Sequence, residues 1–265
     1  MTELDKVLNK ELSDASKKTY SSMYKKLVGI LGSDILKTTN PEIIKKIKAI
    51  DGSPNTIDGL IKIAIIVKKA NKKPTKTLDK FKAQYQKEIE KFNDNKKEEL
   101  SKNILTPQEL YDYLELLKNN DGKITEYIIN YLIIHFNTRN KDLDVKIVNK
   151  KTDINDKENF LYINKKTKKV TYIRNDYKTA KTYGAKTNEI NDKDFYEKIN
   201  KLNLGKLINV SPSSFNKTIQ RLTLDGIGSG MYMKILSSQA RPKELKTISK
   251  NRGTSVDTIV ENYIV

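Results

Sequence analysis

The chain has 265 residues, a length that suits two modest domains, and its 51 Lys and Arg against 33 Asp and Glu give a formal net charge of +18. With no Cys and a single His, His135, disulfide scaffolds, thiolate metal sites, thiol catalysis and multi-histidine metal centres are excluded. Hydrophobic residues at 37% and charged ones at 32% describe a globular chain, and the longest apolar runs, 60–67 and 127–136, fall short of the roughly 20 residues that cross a bilayer.

The first hundred residues read as helices with punctuated turns. Tyr20, Met23, Tyr24, Leu27 and Ile30 recur at the spacing of one helical face and predict a helix over 16–31, stopped at Gly32. Asn40-Pro41 and Ser53-Pro54 each pair a capping side chain with a proline at the first helical position, where the missing N–H costs nothing, so helices are expected at 41–50 and 54–70. Phe81, Tyr85, Ile89 and Phe92 mark a charged helix over 77–102. A domain boundary is placed between 102 and 103, because Thr106-Pro107-Gln108-Glu109 is a capping box that opens a new helix, 106–118.

A helix over 123–137 follows, and then the period changes. Segments 144–148, 160–164, 170–174 and 185–190 favour short strands joined by Asn-, Lys- and Gly-containing turns. Helical character returns at 193–203, 211–224, 229–239, 242–250 and 255–263. The expected fold class is therefore mainly α with a small antiparallel β-sheet (α+β), in two domains, 1–102 and 103–265.

Basic excess is spread along the chain: residues 1–100 carry 22 basic and 14 acidic side chains, the remainder 29 and 19. Both halves can face a polyanion, and nucleic acid is the leading partner. A chain rich in Lys, Asn and Ile also follows from an AT-rich genome. Only five basic residues are arginine, namely Arg139, Arg174, Arg221, Arg241 and Arg252. In a lysine-biased chain each is a place where a planar bidentate guanidinium can be required.

Three segments resemble motifs of one family. LIIHFNTRNKDL, at 132–143, is similar to an apolar helix followed by a turn, Arg, two residues, an acid and Leu, with Arg139, Asp142 and Leu143 on the pattern. NDYKTAKTYGAKTNEI resembles a lysine-bearing hairpin, with Lys178 as the counterpart and Lys181 and Lys186 left open. ISKNRGTSVDTIVENYIV places Arg252-Gly253-Thr254 where Leu-Gly-His stands and Tyr263 nine residues after Thr254. Together these are the motifs of tyrosine recombinases, or phage-type integrases.

The resemblance implies a helical, SAM-like core-binding domain followed by a tyrosine-recombinase-like catalytic domain. It implies strand cutting and rejoining through a 3′-phosphotyrosine, with Tyr263 as nucleophile, Arg139 as phosphate clamp and Lys178 as general acid. No cofactor or metal is called for. The family's His-x-x-Arg has GIGSGMYMKILSSQ as its counterpart here, with Gly230 and Met233 at the two catalytic positions; a one-residue slip makes Lys234 a substitute for the arginine. Arg252 and Arg241 are further candidates to restore charge, Arg252 as a phosphate contact. The alternative is a descendant that binds DNA or junctions without cutting, and a type IB topoisomerase shares the chemistry. Expected partners are double-stranded DNA and Holliday junctions, with no membrane and a monomer in solution that multimerises on DNA. The expected location is intracellular, cytoplasmic or nuclear with the target DNA, extending to a virion.

Overall fold

The computed structural model describes residues 4–8, 12, 14–102 and 104–265, and of Ala15 the backbone alone. The chain divides into two compact units, Met1–Leu100 and Ser101–Val265.

The first unit is helical: α1 (Asp5–Leu8), α2 (Asp14–Leu31), α3 (Asn40–Lys48), α4 (Pro54–Ala70) and α5 (Lys76–Lys102). Thr39 and Ser53 accept the backbone N–H of Glu42 and Thr56, satisfying an otherwise orphaned donor at the start of α3 and α4. The α4 helix is the hub. Leu60, Ile61, Ala64 and Val67 are fully buried against Leu27 and Leu31 of α2 and Ile43 and Ile47 of α3. Each Leu, Ile or Val among them contributes about 1.5–3 kcal/mol over an exposed one. Lys68 is buried at the end of this helix, and its Nζ donates to the Thr38 carbonyl at 2.7 Å.

The second unit opens with α6 (Pro107–Lys118), begun by the Thr106–Glu109 capping box, and α7 (Ile124–Phe136). Every residue from Tyr127 to Ile134 in α7 is buried. The polar one, Asn130, is fully satisfied: its Nδ2 donates to the Glu126 and Leu222 carbonyls, both at 2.7 Å, and its Oδ1 accepts from the Tyr232 hydroxyl. After α7 come β1 (Val145–Val148), β2 (Asn159–Asn164), β3 (Lys169–Arg174), α8 (Ala180–Tyr183), β4 (Lys186–Ile190), α9 (Lys193–Ile199), β5 (Gly205–Lys206), α10 (Pro212–Arg221), α11 (Gly228–Ser238), α12 (Pro242–Arg252) and α13 (Val256–Tyr263).

The unit is α+β, but its sheet corrects the expectation of an antiparallel one. Strand order is β4-β3-β2-β1-β5, and β1 pairs with β2 in parallel, Val145 opposite Asn159 and Val148 opposite Tyr162. The remaining neighbours are antiparallel. The cause is the connection over 149–158, which is no tight hairpin turn: it runs back past β1, through a 3-10 turn at Lys151–Asp153, before β2 begins. The two-residue β5 and one-turn α8 are too short to leave a periodic signal. Leu110, Leu114, Tyr127, Ile128 and Leu132 from the helices meet Leu161, Val170 and Tyr172 from the sheet in the main core, while Met233, Leu245, Ile248 and Ile259 form a smaller one. Among the described residues no helix is long and apolar enough to cross a membrane.

Candidate active site

The α7 helix ends on Asn137, whose left-handed backbone (φ 51°) is tolerated by Asn better than by most residues. That turn brings Arg139 to the head of the following 3-10 turn, Asn140–Leu143. At the other end of the unit, α12 stops on Gly253, also left-handed (φ 64°), which donates to the Ser249 carbonyl at 2.9 Å. The two helix ends interlock. Arg139 Nη1 donates to the Arg252 carbonyl at 2.7 Å, and Arg252 Nη1 donates to the Asn137 carbonyl at 3.0 Å. Arg252 Nη2 donates to the Tyr263 hydroxyl at 3.0 Å, its guanidinium lying 4.7 Å from the centre of the tyrosine ring.

The sheet supplies two more cations. On β3, Val170, Tyr172 and Arg174 alternate onto the buried face, so Arg174 is carried into the interior with no exposed surface. Its Nη1 lies 3.5 Å from Asp142, also fully buried, and its Nη2 donates to Asn188 at 3.3 Å. Lys186 opens β4 directly across from Arg174. Its Nζ donates to the Lys250 carbonyl and to the Asn251 carbonyl, the latter at 3.2 Å. Thr179 Oγ1 ties the same region down with a 2.7 Å bond to the Gly253 carbonyl.

Asn159, buried at the first position of β2, fixes where β3 ends. Its Oδ1 accepts from the backbone N–H of Asn175 and Asp176, and its Nδ2 donates to the Asp176 carbonyl at 2.9 Å.

Charge is unbalanced here. Arg139, Arg174, Arg252 and Lys186 gather around one carboxylate, Asp142. Burial, followed by the Arg252 charge, draws the Arg139 guanidinium below its ordinary value. Burial raises the Asp142 carboxyl against the opposing pull of Arg174. Burial and then Arg174 lower Lys186 to about 8. A cluster of this kind is held at a cost unless an anion completes it.

Arg139, Arg252 and Tyr263 are thus brought together. Lys178 lies in the exposed turn after β3 and joins none of the hydrogen bonds of the cluster; the lysine within it is Lys186. Lys234 is half-buried on α11, next to Met233, which is 1% exposed in the small core. Arg241 is exposed at the start of α12 and bonded to Glu244 at 2.7 Å. Sequence reasoning assigned no role to Arg174, Asn137 or Asn251. The signal for Arg174 was present, since an arginine two and four residues after Tyr172 and Val170 on a strand shares their face. No group of three or more His, Cys, Asp or Glu converges as a metal site among the described residues. No family model matches the chain, nor is any curated protein or solved structure found to be similar to it.

Proposed function

We propose that the protein binds double-stranded DNA and cuts and rejoins its strands through a 3′-phosphotyrosine at Tyr263. The observation that supports this reading is the Arg252 guanidinium bonded to the Tyr263 hydroxyl, with Arg139 bonded to the Arg252 carbonyl and both arginines part of a cluster of four cations around the one carboxylate of Asp142. In the reaction the Tyr263 hydroxyl releases its proton to solvent as its oxygen attacks the scissile phosphorus, and the bond from phosphorus to the 5′-oxygen breaks. Arg139 and Arg252 hold the non-bridging oxygens, whose negative charge grows in the pentacoordinate transition state. The leaving 5′-oxygen takes a proton from a lysine, for which Lys186 is better placed than Lys178. The phosphotyrosyl bond conserves the energy, so the released 5′-hydroxyl of a partner strand reverses the step. Four-way junctions are substrates of the same chemistry.

The second reading is a protein that clamps duplexes or junctions without cutting them. It is favoured by the apolar Met233 and the side-chain-free Gly230 at the positions where the resembled motif carries arginine and histidine. Absence of one preorganised donor to a developing oxyanion costs roughly 10²–10³ in rate.

Incubation with nicked duplex and junction substrates, whose short cleaved fragment diffuses away, separates the two. The enzyme reading expects a covalent adduct on a denaturing gel that is lost in Tyr263→Phe. Tight, salt-sensitive binding with no adduct on any substrate would leave the clamp reading standing alone.

A further inference from the structure

A cleft of about 520 Å³ lies between β4 and α12, lined by Arg174, Lys186, Lys246, Lys250, Asn188 and Tyr183 among others; neither Arg139 nor Tyr263 borders it. Its lining contains four cations and no carboxylate among the described residues. At its floor Arg174, with no exposed surface, has an Nε and an Nη1 without a hydrogen-bond partner. Asp142, the acid nearest Arg174, does not relieve this, for at 3.5 Å it forms no hydrogen bond and its own two carboxylate oxygens are also unsatisfied. A buried guanidinium with two idle donors is costly, and the fork of an arginine matches two oxygens of one phosphate.

The cleft is larger than a phosphate ion needs and lies within the range of small-molecule sites. Its rim offers what a base needs. Tyr183 is 48% exposed, with Lys186 Nζ 5.7 Å from the centre of its ring, and the Asn188 Nδ2 and Asn251 Oδ1 atoms, which make none of the bonds described above, can meet a base edge.

We propose that this cleft is a nucleotide-binding site, which takes a 5′-phosphate on Arg174 with the lysines and stacks the base on Tyr183. The ligand is a nucleotide unit, either free or at the unpaired end of a DNA strand. The assignment goes beyond strand cleavage: the cleft shares Arg174 and Lys186 with the cluster around Asp142 but is bordered by neither Arg139 nor Tyr263.

The test is calorimetric titration of the full chain with inorganic phosphate and with deoxyadenosine 5′-monophosphate. The mononucleotide is expected to bind about tenfold or more tightly than phosphate, the usual gain from one stacked base. Tyr183→Ala is expected to erase that gain and leave phosphate binding as it was. Lys250→Glu, on the exposed rim, is expected to weaken both, as is Arg174→Lys where that variant folds. Tyr263→Phe, which abolishes any adduct, is expected to bind the nucleotide like the parent, so loss of cleavage and loss of this site are separate results. Duplex DNA with a 5′-phosphorylated single-stranded flap identifies the source: displacement of the nucleotide assigns the site to a strand end, and co-binding assigns it to a free nucleotide. Absence of heat with both ligands at millimolar concentration, or undiminished binding in Tyr183→Ala and Lys250→Glu together, overturns the proposal.

Discussion

Gly253→Ala tests how tightly the two ends of the second unit are fastened together. Gly253 sits at φ 64°, a conformation that costs an L-residue about 1–2 kcal/mol. A Cβ placed there would stand 3.0 Å from Thr179 Oγ1, 3.0 Å from the Tyr177 ring and 3.2 Å from Lys186 Nζ. Overpacking of this kind typically adds about 1–3 kcal/mol. The combined loss, about 2–5 kcal/mol, corresponds to a fall in melting temperature of about 5–15 °C for a unit of this size. Gly32 provides the control, for it closes α2 as Gly253 closes α12, at φ 67° and with its N–H on the Val28 carbonyl at 2.9 Å, but an added Cβ would meet nothing within 4 Å. Gly32→Ala therefore isolates the backbone cost. Differential scanning calorimetry of both variants reads the difference, and fluorescence anisotropy with duplex DNA reads whether displacing Lys186 and Thr179 weakens binding. If the two alanines melt together, the crowding around Gly253 is not what holds α12 against β4, and the reasoning fails.

Two further outcomes follow from the same unit. Lys186, lowered to about 8 by burial and Arg174, loses its charge as pH rises from 7 to 9, so affinity for DNA, whose phosphodiesters do not titrate there, should fall across that window; Lys186→Arg should flatten the profile, and an unchanged slope in that variant would point to another group. Because the folded value lies below the 10.5 of the free side chain, the unfolded chain binds more protons between about 8 and 10.5, and this group's contribution to stability rises with pH there. Tyr232→Phe leaves the buried Asn130 Oδ1 without its donor and the Leu224 N–H without its acceptor, for a loss of about 2–4 kcal/mol by urea denaturation; an unmoved midpoint would mean that water replaces the hydroxyl.

The helices were the most legible part of the sequence, and the reason is local chemistry. Ser53-Pro54 and Thr106-Pro107 carry their own start signals, and the α4 helix runs over the expected 54–70. Strand segments were legible to within a residue, but their partners were not. Alternation reports which face is buried and not which neighbour runs alongside, so nothing in 144–164 distinguished a parallel crossover from a hairpin. The site shows the same division. Arg139, Arg252 and Tyr263 stood out by their places in the resembled motifs, with the scarcity of arginine beside them, while the choice among Lys178, Lys181 and Lys186 depended on how far α8 and its flanking turns carry the chain before β4. Arg174 was visible as a strand arginine, yet its burial depends on Asp142 arriving from a different segment.

The amide of Asn159 fastens the end of β3 from inside β2, so the strand's position at the chemistry is set there and not by the turn that joins the two strands. That turn, Lys165 to Lys168, is exposed at the opposite end of the sheet. Length can change at 165–168 without moving Arg174 or the segment that carries Thr179. Under the proposed function the sheet has one end turned to phosphate and one end open to insertion, a place where a fluorophore or an affinity tag would test for DNA binding without entering the candidate site.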